Sequence, residues 1–402
     1  MADVLIVGGG PAGMMAGYLF ARAGVATKVI EKHADFFRDF RGDTVHPSTM
    51  EILAQLGLLD RFLQRSHNRI DKARIRMGGK DWTIGDLSHL DTPAPFIAMM
   101  PQWEFLDFLR GEATKLSAFD LAMDDPIADF THEAGRVTGV RYASGRKERA
   151  GRLVIAADGR GSLVRSQDML PVEQLGAPMD VLWFKLPKHD DGGDALRGSI
   201  EPGRMVVLID RDDYWQAAFL IPKGSEADVR SKGLDWLRMQ VGQAFPDVDV
   251  SGVFLTADED VKLLSVTLDR LSCWSRPGLL AIGDAAHAMS PIGGIGINLA
   301  IQDAVAAANA LAGPIAQGAD ADPLLARVKR RRLFPTRVIQ AGQKAAQNNI
   351  ISAVLAGGPI EVPLIVRLLD RFPLLRRIPG RIIGLGVRRE RVRSPSQPPP
   401  AV

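Results

Sequence analysis

At 402 residues the chain exceeds what one simple core organises, so two intimately connected domains, or one large one, are expected. Apolar residues make up 46% and charged residues 24%, an ordinary globular balance, and the net charge of +3 excludes a strongly basic nucleic-acid binder; the nine arginines against three acids after residue 357 make only the tail basic. A single cysteine, Cys273, excludes a disulfide framework, a four-thiolate metal site and a paired-cysteine redox centre.

The chain opens on the strand-like "ADVLIVGGG", with no basic leader ahead of it, and nowhere approaches about 18 uninterrupted apolar residues. A cytoplasmic protein, monomer or homodimer, without an integral membrane segment is the expectation. A short apolar run (Val4 to Val7), a glycine turn, a helix-patterned stretch from Pro11 to Ala23 and then "TKVIEK" spell β-turn-α-β, the start of a doubly wound α/β sheet. Pro47 opens a predicted helix to about Gly57, residues 70 to 100 read as strands, and Glu104 to Leu116 reads as a second helix. From Phe119 to Val140 short alternating runs predict a β-meander, and Leu153 to Ala157 returns as a buried strand. Residues 179 to 222 are again strand-rich, with no helices between, so they are assigned to a second, antiparallel layer. Helices follow near 228 to 244, a buried strand at Leu279 to Ile282, an Ala-rich helix from Gly296, and helical segments over 323 to 372 broken at Pro335, Pro359, Pro363 and Pro373. The end, "SPSQPPPAV", reads as disordered.

Three turns carry the chemistry. In "VLIVGGGPAG", Gly8, Gly10 and Gly13 stand in GxGxxG spacing between strand and helix: the first permits the tight turn, the second lets backbone approach a pyrophosphate, and the third packs helix on strand. Glu31 closes the next strand 18 residues after Gly13, where an acid accepts hydrogen bonds from a ribose. In "LVIAADGRGSLVR", Asp158 and Gly159 end a strand and Ser162 and Arg165 complete a DGxxSxxR spacing; Asp158 either meets a sugar hydroxyl or caps the following turn. In "GLLAIGDAAHAMSPIGGIGINLAIQDA", Asp284 again ends a buried strand, and the loop through Pro291, Gly293 and Gly294 leads into the helix at Gly296, offering backbone donors and a helix dipole to negative charge.

Together these three ordered motifs resemble the FAD-dependent aromatic-ring hydroxylases of the p-hydroxybenzoate hydroxylase type, the class A flavoprotein monooxygenases, over about residues 3 to 345. The resemblance implies a doubly wound, glutathione-reductase-like FAD-binding domain formed by 1–70, 101–178 and 265–345, an interleaved antiparallel substrate-binding sheet from 71–100 and 179–264, C-terminal helices over 346–393 and a disordered tail at 394–402. It further implies that all three turns clasp one extended FAD. Gly8, Gly10 and Gly13, with Pro11 and Ala12, would face the pyrophosphate, and Glu31 with Lys32 the adenosine ribose. Asp158 would lie at the middle turn, which the family also associates with NAD(P)H use, and Asp284 would meet the ribityl chain. In "DFRGDTVHPSTMEIL" Arg41 matches a flavin-contacting arginine, and Gln102 occupies the polar position heading its helix. Pro291, Gly294, Gly296, Ile297 and Asn298 would lie along the isoalloxazine. Ile295 departs from relatives that carry a polar residue there.

The implied reaction has NAD(P)H reduce the flavin, O2 add at C4a, and the hydroperoxide pass one oxygen to an electron-rich aromatic substrate; the chain's own tasks are binding, orientation and exclusion of water. His46, beside the Arg41 segment, either orients substrate and tunes its ionisation or is a hydrogen-bonded structural histidine. His287 is read as making a local structural bond, and the other five histidines show no metal-ligand spacing. With only Tyr18, Tyr142 and Tyr214, the phenol-activating tyrosine pair of the type enzyme is not evident. Trp183, Phe184, Trp215 and Phe219 either line an aromatic-sized pocket or fill the sheet core. The segment "PLIVRLLDRFPLLRRIPGRIIGLGVRRERVR" is read as a helical tail docked on the FAD domain with arginines outward, in preference to a membrane-surface helix, because three prolines interrupt it. Other readings are a flavin-dependent reductase and a non-catalytic escort protein on the same fold. A halogenase is disfavoured by Ala217 and Phe219 where two tryptophans would stand, and a disulfide reductase by the lone cysteine.

Overall fold

The computed structural model describes residues 1–37, 44–189, 194–251, 255–358 and 362–397. Its first layer is a six-stranded sheet centred on Val4–Val7, which pairs in parallel with Leu153–Ala156 on one side and Thr27–Ile30 on the other. Leu279–Ala281 continues the parallel order beyond Leu153–Ala156, and Phe119–Ala122 beyond Thr27–Ile30. The central strands are buried throughout, as both-sided burial requires of continuous apolar runs. Helix Pro11–Arg22 crosses one face and packs on the 21-residue helix Gly296–Ala316. By length and composition Ile292–Ala316 could cross a membrane, but 72% of its most apolar window is buried inside the protein, which makes it the core helix of this layer.

One expected element moves. Phe119–Ala122 is not part of the meander but the edge strand of the parallel sheet, and its one-sided exposure produces the alternation that reads as antiparallel. The meander itself is Ile127–Glu133, Arg136–Tyr142 and Lys147–Arg149.

The second layer is a seven-stranded sheet that runs Lys262–Leu264, Met179–Pro187, Tyr214–Pro222, Arg204–Asp210, Leu196–Glu201, Lys72–Met77, Lys80–Asp86. All its pairings are antiparallel except that of Leu196–Glu201 with Lys72–Met77, so two distant chain segments join in one sheet. A small sheet of Thr44–Val45, Ile97–Met99 and Asn68–Ile70 lies among the crossings between the layers.

The C-terminal region departs from expectation in three places. Helix Asp322–Ala346 runs unbroken through Pro335, whose ring is buried; a proline costs a helix one hydrogen bond, and packing holds the helix across it. Helices Leu364–Arg371 and Arg377–Leu385 pack on strand Lys80–Asp86 of the second sheet, and the second of them also meets helix Pro47–Gln55, so the tail rests on both layers. Gly380 permits that contact, since a Cβ there would lie 2.0 Å from the Asp86 carbonyl oxygen. Finally, 394–397 is tied down: Ser394 N–H donates to Asn309 Oδ1 at 2.8 Å and Gln397 N–H to the Arg22 carbonyl at 2.9 Å.

Candidate cofactor and substrate site

The three turns meet. Gly8 has φ +107°, and a Cβ on it would sit 2.4 Å from the Ala157 carbonyl oxygen, so the first turn lies directly against the second. Gly13 presses the helix onto the turn, its virtual Cβ 1.8 Å from the Gly8 carbonyl oxygen; any side chain there forces the helix away. Gly283 of the third turn lies against Ala12, with its virtual Cβ 2.9 Å from the Ala12 side chain. Arg160 of the second turn donates from Nε to Asp284 Oδ2 at 3.3 Å and from Nη2 to the Met289 carbonyl at 3.1 Å. Arg165 bolts the same two turns from behind through the carbonyls of Asp284 and Ala285, each at 2.9 Å, and an ion pair with buried Asp269 at 2.5 Å.

Within this cradle several groups face open space. A Cβ on Gly10, Gly159, Gly161 or Gly296 would meet nothing within 4 Å. The first bond of helix Pro11–Arg22 runs from Met14 N–H to the Gly10 carbonyl, so the N–H groups of Ala12 and Gly13 precede it; Pro11 has none. In helix Gly296–Ala316 the first is from Leu299 N–H to the Ile295 carbonyl, leaving Gly296, Ile297 and Asn298 as first-turn donors. Asp158 Oδ2 accepts the Leu163 N–H at 2.9 Å, while Oδ1 and Arg160 Nη1 are buried with no partner among the described residues. Burial pushes the Asp158 carboxyl up against the hydrogen bonds from Ser162 and Leu163 that pull it down. Both readings of Asp158 therefore have an oxygen: one caps the Leu163–Ser166 helix, the other stays available.

Other predicted residues have defined structural work. Glu31, 9% exposed, accepts the Gly9 N–H at 2.8 Å and the His33 N–H at 3.2 Å, bracing the first turn, and Lys32 beside it is exposed. Gln102 is the first residue of helix Gln102–Ala113, and Arg41 lies outside the described residues. Pro291 and Gly294 stand half-buried in the third loop, where Thr44 Oγ1 donates to the Gly294 carbonyl at 2.6 Å. The Asn298 side chain is consumed in joining that loop to the Thr44–Gln55 segment. Its Oδ1 accepts from His46 N–H and Thr49 Oγ1, both at 2.8 Å, and its Nδ2 donates to the carbonyls of Thr44 and Gly294. Only its backbone N–H is left to offer. Ile295, the departure from the family pattern, packs against Met289, Leu299 and Ile339.

His46 is fully buried. Because a carbonyl only accepts, its contact of 2.8 Å to the Ile383 oxygen makes Nδ1 the protonated nitrogen and leaves Nε2 a bare lone pair, buried with no partner among the described residues. Burial drives its pKa down to about 4 despite the Ile383 carbonyl, so the ring is neutral at physiological pH. His287 makes the expected local bond, Nε2 to Asp303 Oδ2 at 2.6 Å. Asp303 also accepts from Arg332 Nε at 2.9 Å and Gly283 N–H at 3.0 Å, and Arg332 reaches Glu390 at 3.3 Å. Burial alone would raise the Asp303 carboxyl; the charges and hydrogen bonds of His287 and Arg332 outweigh it and hold it low.

The four aromatic candidates separate. Phe184, Trp215 and Phe219 point to the face covered by helix Gly233–Ala244, in a core with Leu237 and Val241. Trp183 points the other way, with Val181, Ile209, Ala218 and Leu220, toward Met99 and the Ile292 loop. Sequence reasoning missed Arg160 and Thr44. Arg160 fills a variable position of the DGxxSxxR spacing, and Thr44 acts through a partner 250 residues away, so neither leaves a local signal.

Two helix N-termini, open glycine faces, an unpartnered buried carboxylate oxygen and an unpartnered guanidinium nitrogen fit a long, doubly phosphorylated dinucleotide. The comparisons agree. Residues 1–342 match the family model described as FAD binding domain. The 6-methylpretetramide 4-monooxygenase of Streptomyces rimosus is 30% identical over 98% of this chain and 94% of its own. A rifampicin monooxygenase of Streptomyces venezuelae is 28% identical over 76% of this chain, which spans 62% of that relative. The fold is shared with p-nitrophenol 4-monooxygenase from Pseudomonas putida, TM-score 0.77 at 21% identity, covering 95% of each chain. The chain thus belongs to the FAD-binding aromatic-ring hydroxylase family. It is an FAD-dependent monooxygenase with a small-molecule substrate.

Proposed function

We propose that the cleft formed by the three turns holds FAD in one orientation, adenosine toward Glu31, pyrophosphate across Gly10 and the N–H groups of Ala12 and Gly13, and ribityl chain toward Asp284. Arg160, with Nη1 unpartnered beside Asp158 and Asp284, supplies positive charge at the middle of this path. The N–H groups of Gly296, Ile297 and Asn298, at the positive end of a long helix, stabilise negative charge on the ring. Bound FAD, reduced by NAD(P)H, supplies the redox chemistry that activates O2. The chain's contribution is then to orient the substrate and keep water out, through the apolar face of the second sheet around Val181, Trp183, Ile209, Ala218 and Leu220.

Against that face we place an electron-rich aromatic, with fused-ring phenols the first class to assay. The support is the apolar lining together with relatives that act on 6-methylpretetramide and on anhydrotetracycline. His46 serves as a neutral wedge between the third loop and the C-terminal helix, with Nε2 able only to accept a hydrogen bond; it is not a base whose charge drives the reaction. The lone thiol, Cys273, is exposed, as suits the reducing cytoplasm.

The observation that carries this reading is that the three turns touch pairwise, Gly8 against Ala157, Gly283 against Ala12 and Arg160 against Asp284. Its test is to purify the protein, identify the flavin it carries, and follow NAD(P)H oxidation and O2 uptake with a panel of phenols. Yellow protein whose O2 uptake matches hydroxylated product supports it. Colourless protein that takes up no flavin, or substrate reduction that proceeds without O2, overturns it.

A further inference from the structure

Nine of the fifteen large apolar side chains exposed among the described residues fall within 364–387. They are ordered. Leu364, Leu368 and Phe372 recur every four residues along one helix and its end, and Leu374, in the 3-10 turn Pro373–Arg376, continues with Ile378 and Ile382 along the next helix at the same interval. The most exposed are Leu364 at 71% and Leu374 at 70%. An exposed arginine stands immediately before four of them: Arg367 before Leu368, Arg371 before Phe372, Arg377 before Ile378 and Arg381 before Ile382. Each helix thus carries an apolar row flanked by a basic row. Both helices rest on the same strand, Lys80–Asp86, so they belong to one surface. The only acid in 364–388 is Asp370, already shared by Lys80, Arg376 and the Thr83 N–H.

We propose that this surface docks on an anionic lipid membrane, with the Leu, Ile and Phe rows inserted at the interface and the arginines held at the headgroups. Apolar rows bounded by arginines whose stems can lie along the apolar region while their heads stay in the phosphate layer are the pattern of helices that lie in a membrane surface. The charge argues against a second copy of this chain as the occupant. A two-fold interface brings the same patch against itself, and here it would set four arginines that make no ion pair among the described residues against four others, with Asp370 the only acid on either helix. The docking does not depend on the aromatic site. It has a consequence for it: the inner side of the same helix carries Ile383, whose carbonyl binds His46, so the membrane would lie next to the apolar face assigned to substrate.

The test is co-sedimentation of the full-length, FAD-loaded protein with vesicles of phosphatidylcholine alone and of phosphatidylcholine mixed with phosphatidylglycerol. The mixed vesicles should bind the protein and release it as salt rises, and the neutral ones should bind it weakly. Replacing Arg367, Arg371, Arg377 and Arg381 with Gln should weaken binding about fivefold per arginine (about 1 kcal/mol each near an anionic surface). The variant Leu364→Ser/Phe372→Ser/Ile378→Ser should lose binding while retaining flavin and its melting temperature, which shows that it has folded. Failure to bind anionic vesicles at low salt overturns the proposal. So does binding that neither variant alters, or a dimer in light scattering that the serine variant converts to monomer.

Discussion

The turns at the ends of the parallel sheet and the faces of the seven-stranded sheet solve opposite problems. In the turns, backbone meets backbone: Gly8 lies on Ala157 and Gly13 on the Gly8 carbonyl, at separations that leave no room for a Cβ. In the second sheet, Trp183 and Phe184 are neighbours in the chain and sit on opposite faces, and either would fill a core equally well. One region is specified by what cannot be present, the other by which side of a strand a residue occupies.

Behind the turns, Arg332 is fully buried between Asp303 and Glu390 and so ties the His287 turn to the C-terminal segment. Arg332→Met removes the shared cation from two buried carboxylates, leaving Asp303 to His287 and the Gly283 N–H and Glu390 to Arg331, and should cost about 3 kcal/mol, read as a fall in the urea midpoint. Little or no fall would mean that the network is incidental to the fold. The paired faces come next. Phe184→Ala should cost about 3–5 kcal/mol of stability with a modest effect on KM. Trp183→Leu should cost less stability and raise KM for the aromatic substrate several-fold; the reverse pattern would exchange the roles of the two faces.

His46 links the two regions, and its titration reports on the link. Its pKa is about 4 in the folded protein against 6.5 for the ordinary group, so between those values the unfolded chain binds the proton that the native state refuses. Its contribution is therefore present in full above pH 6.5 and is lost as pH falls toward 4, by about 3 kcal/mol in total. Urea denaturation at a series of pH values should show that slope in the parent protein and a flatter one in His46→Asn; identical slopes would contradict the buried neutral ring. Smaller again, Asp284→Ala should weaken FAD binding about ten- to a hundredfold without unfolding the protein, since a charged acceptor contributes about 1.5–3 kcal/mol. Flavin titration of the variant checks this, and unchanged affinity would remove Asp284 from the ribityl site.

The same contrast explains what could be read from the residues alone. The glycine turns and their acids were legible because left-handed or overcrowded backbone admits few residue types, and the spacing between strand and helix is local. The partners of those residues were not. That Glu31 braces Gly9, that Asn298 spends its side chain on His46 and Thr49, and that Arg160 reaches Asp284 all depend on the tertiary approach of distant segments. Phe119–Ala122 read as a meander strand because an edge strand, exposed on one side, alternates like one. Pro335 read as a break, but the packing of its buried face, with Arg332, Thr336 and Ile339, carries the helix across the missing bond. The C-terminal helices were expected with arginines outward, and they are; what the periodicity did not reveal is that Leu, Ile and Phe point outward beside them.

The most direct test of the three-turn cradle is Gly10→Val. At Gly10 the backbone is extended, φ −72° and ψ −176°, which valine adopts readily, and a Cβ meets no atom within 4 Å. The substitution should leave the melting temperature of the flavin-free protein almost unchanged and abolish FAD binding, because the new side chain would occupy the space proposed for the pyrophosphate. A variant that binds FAD as tightly as the parent would contradict the assignment of that space.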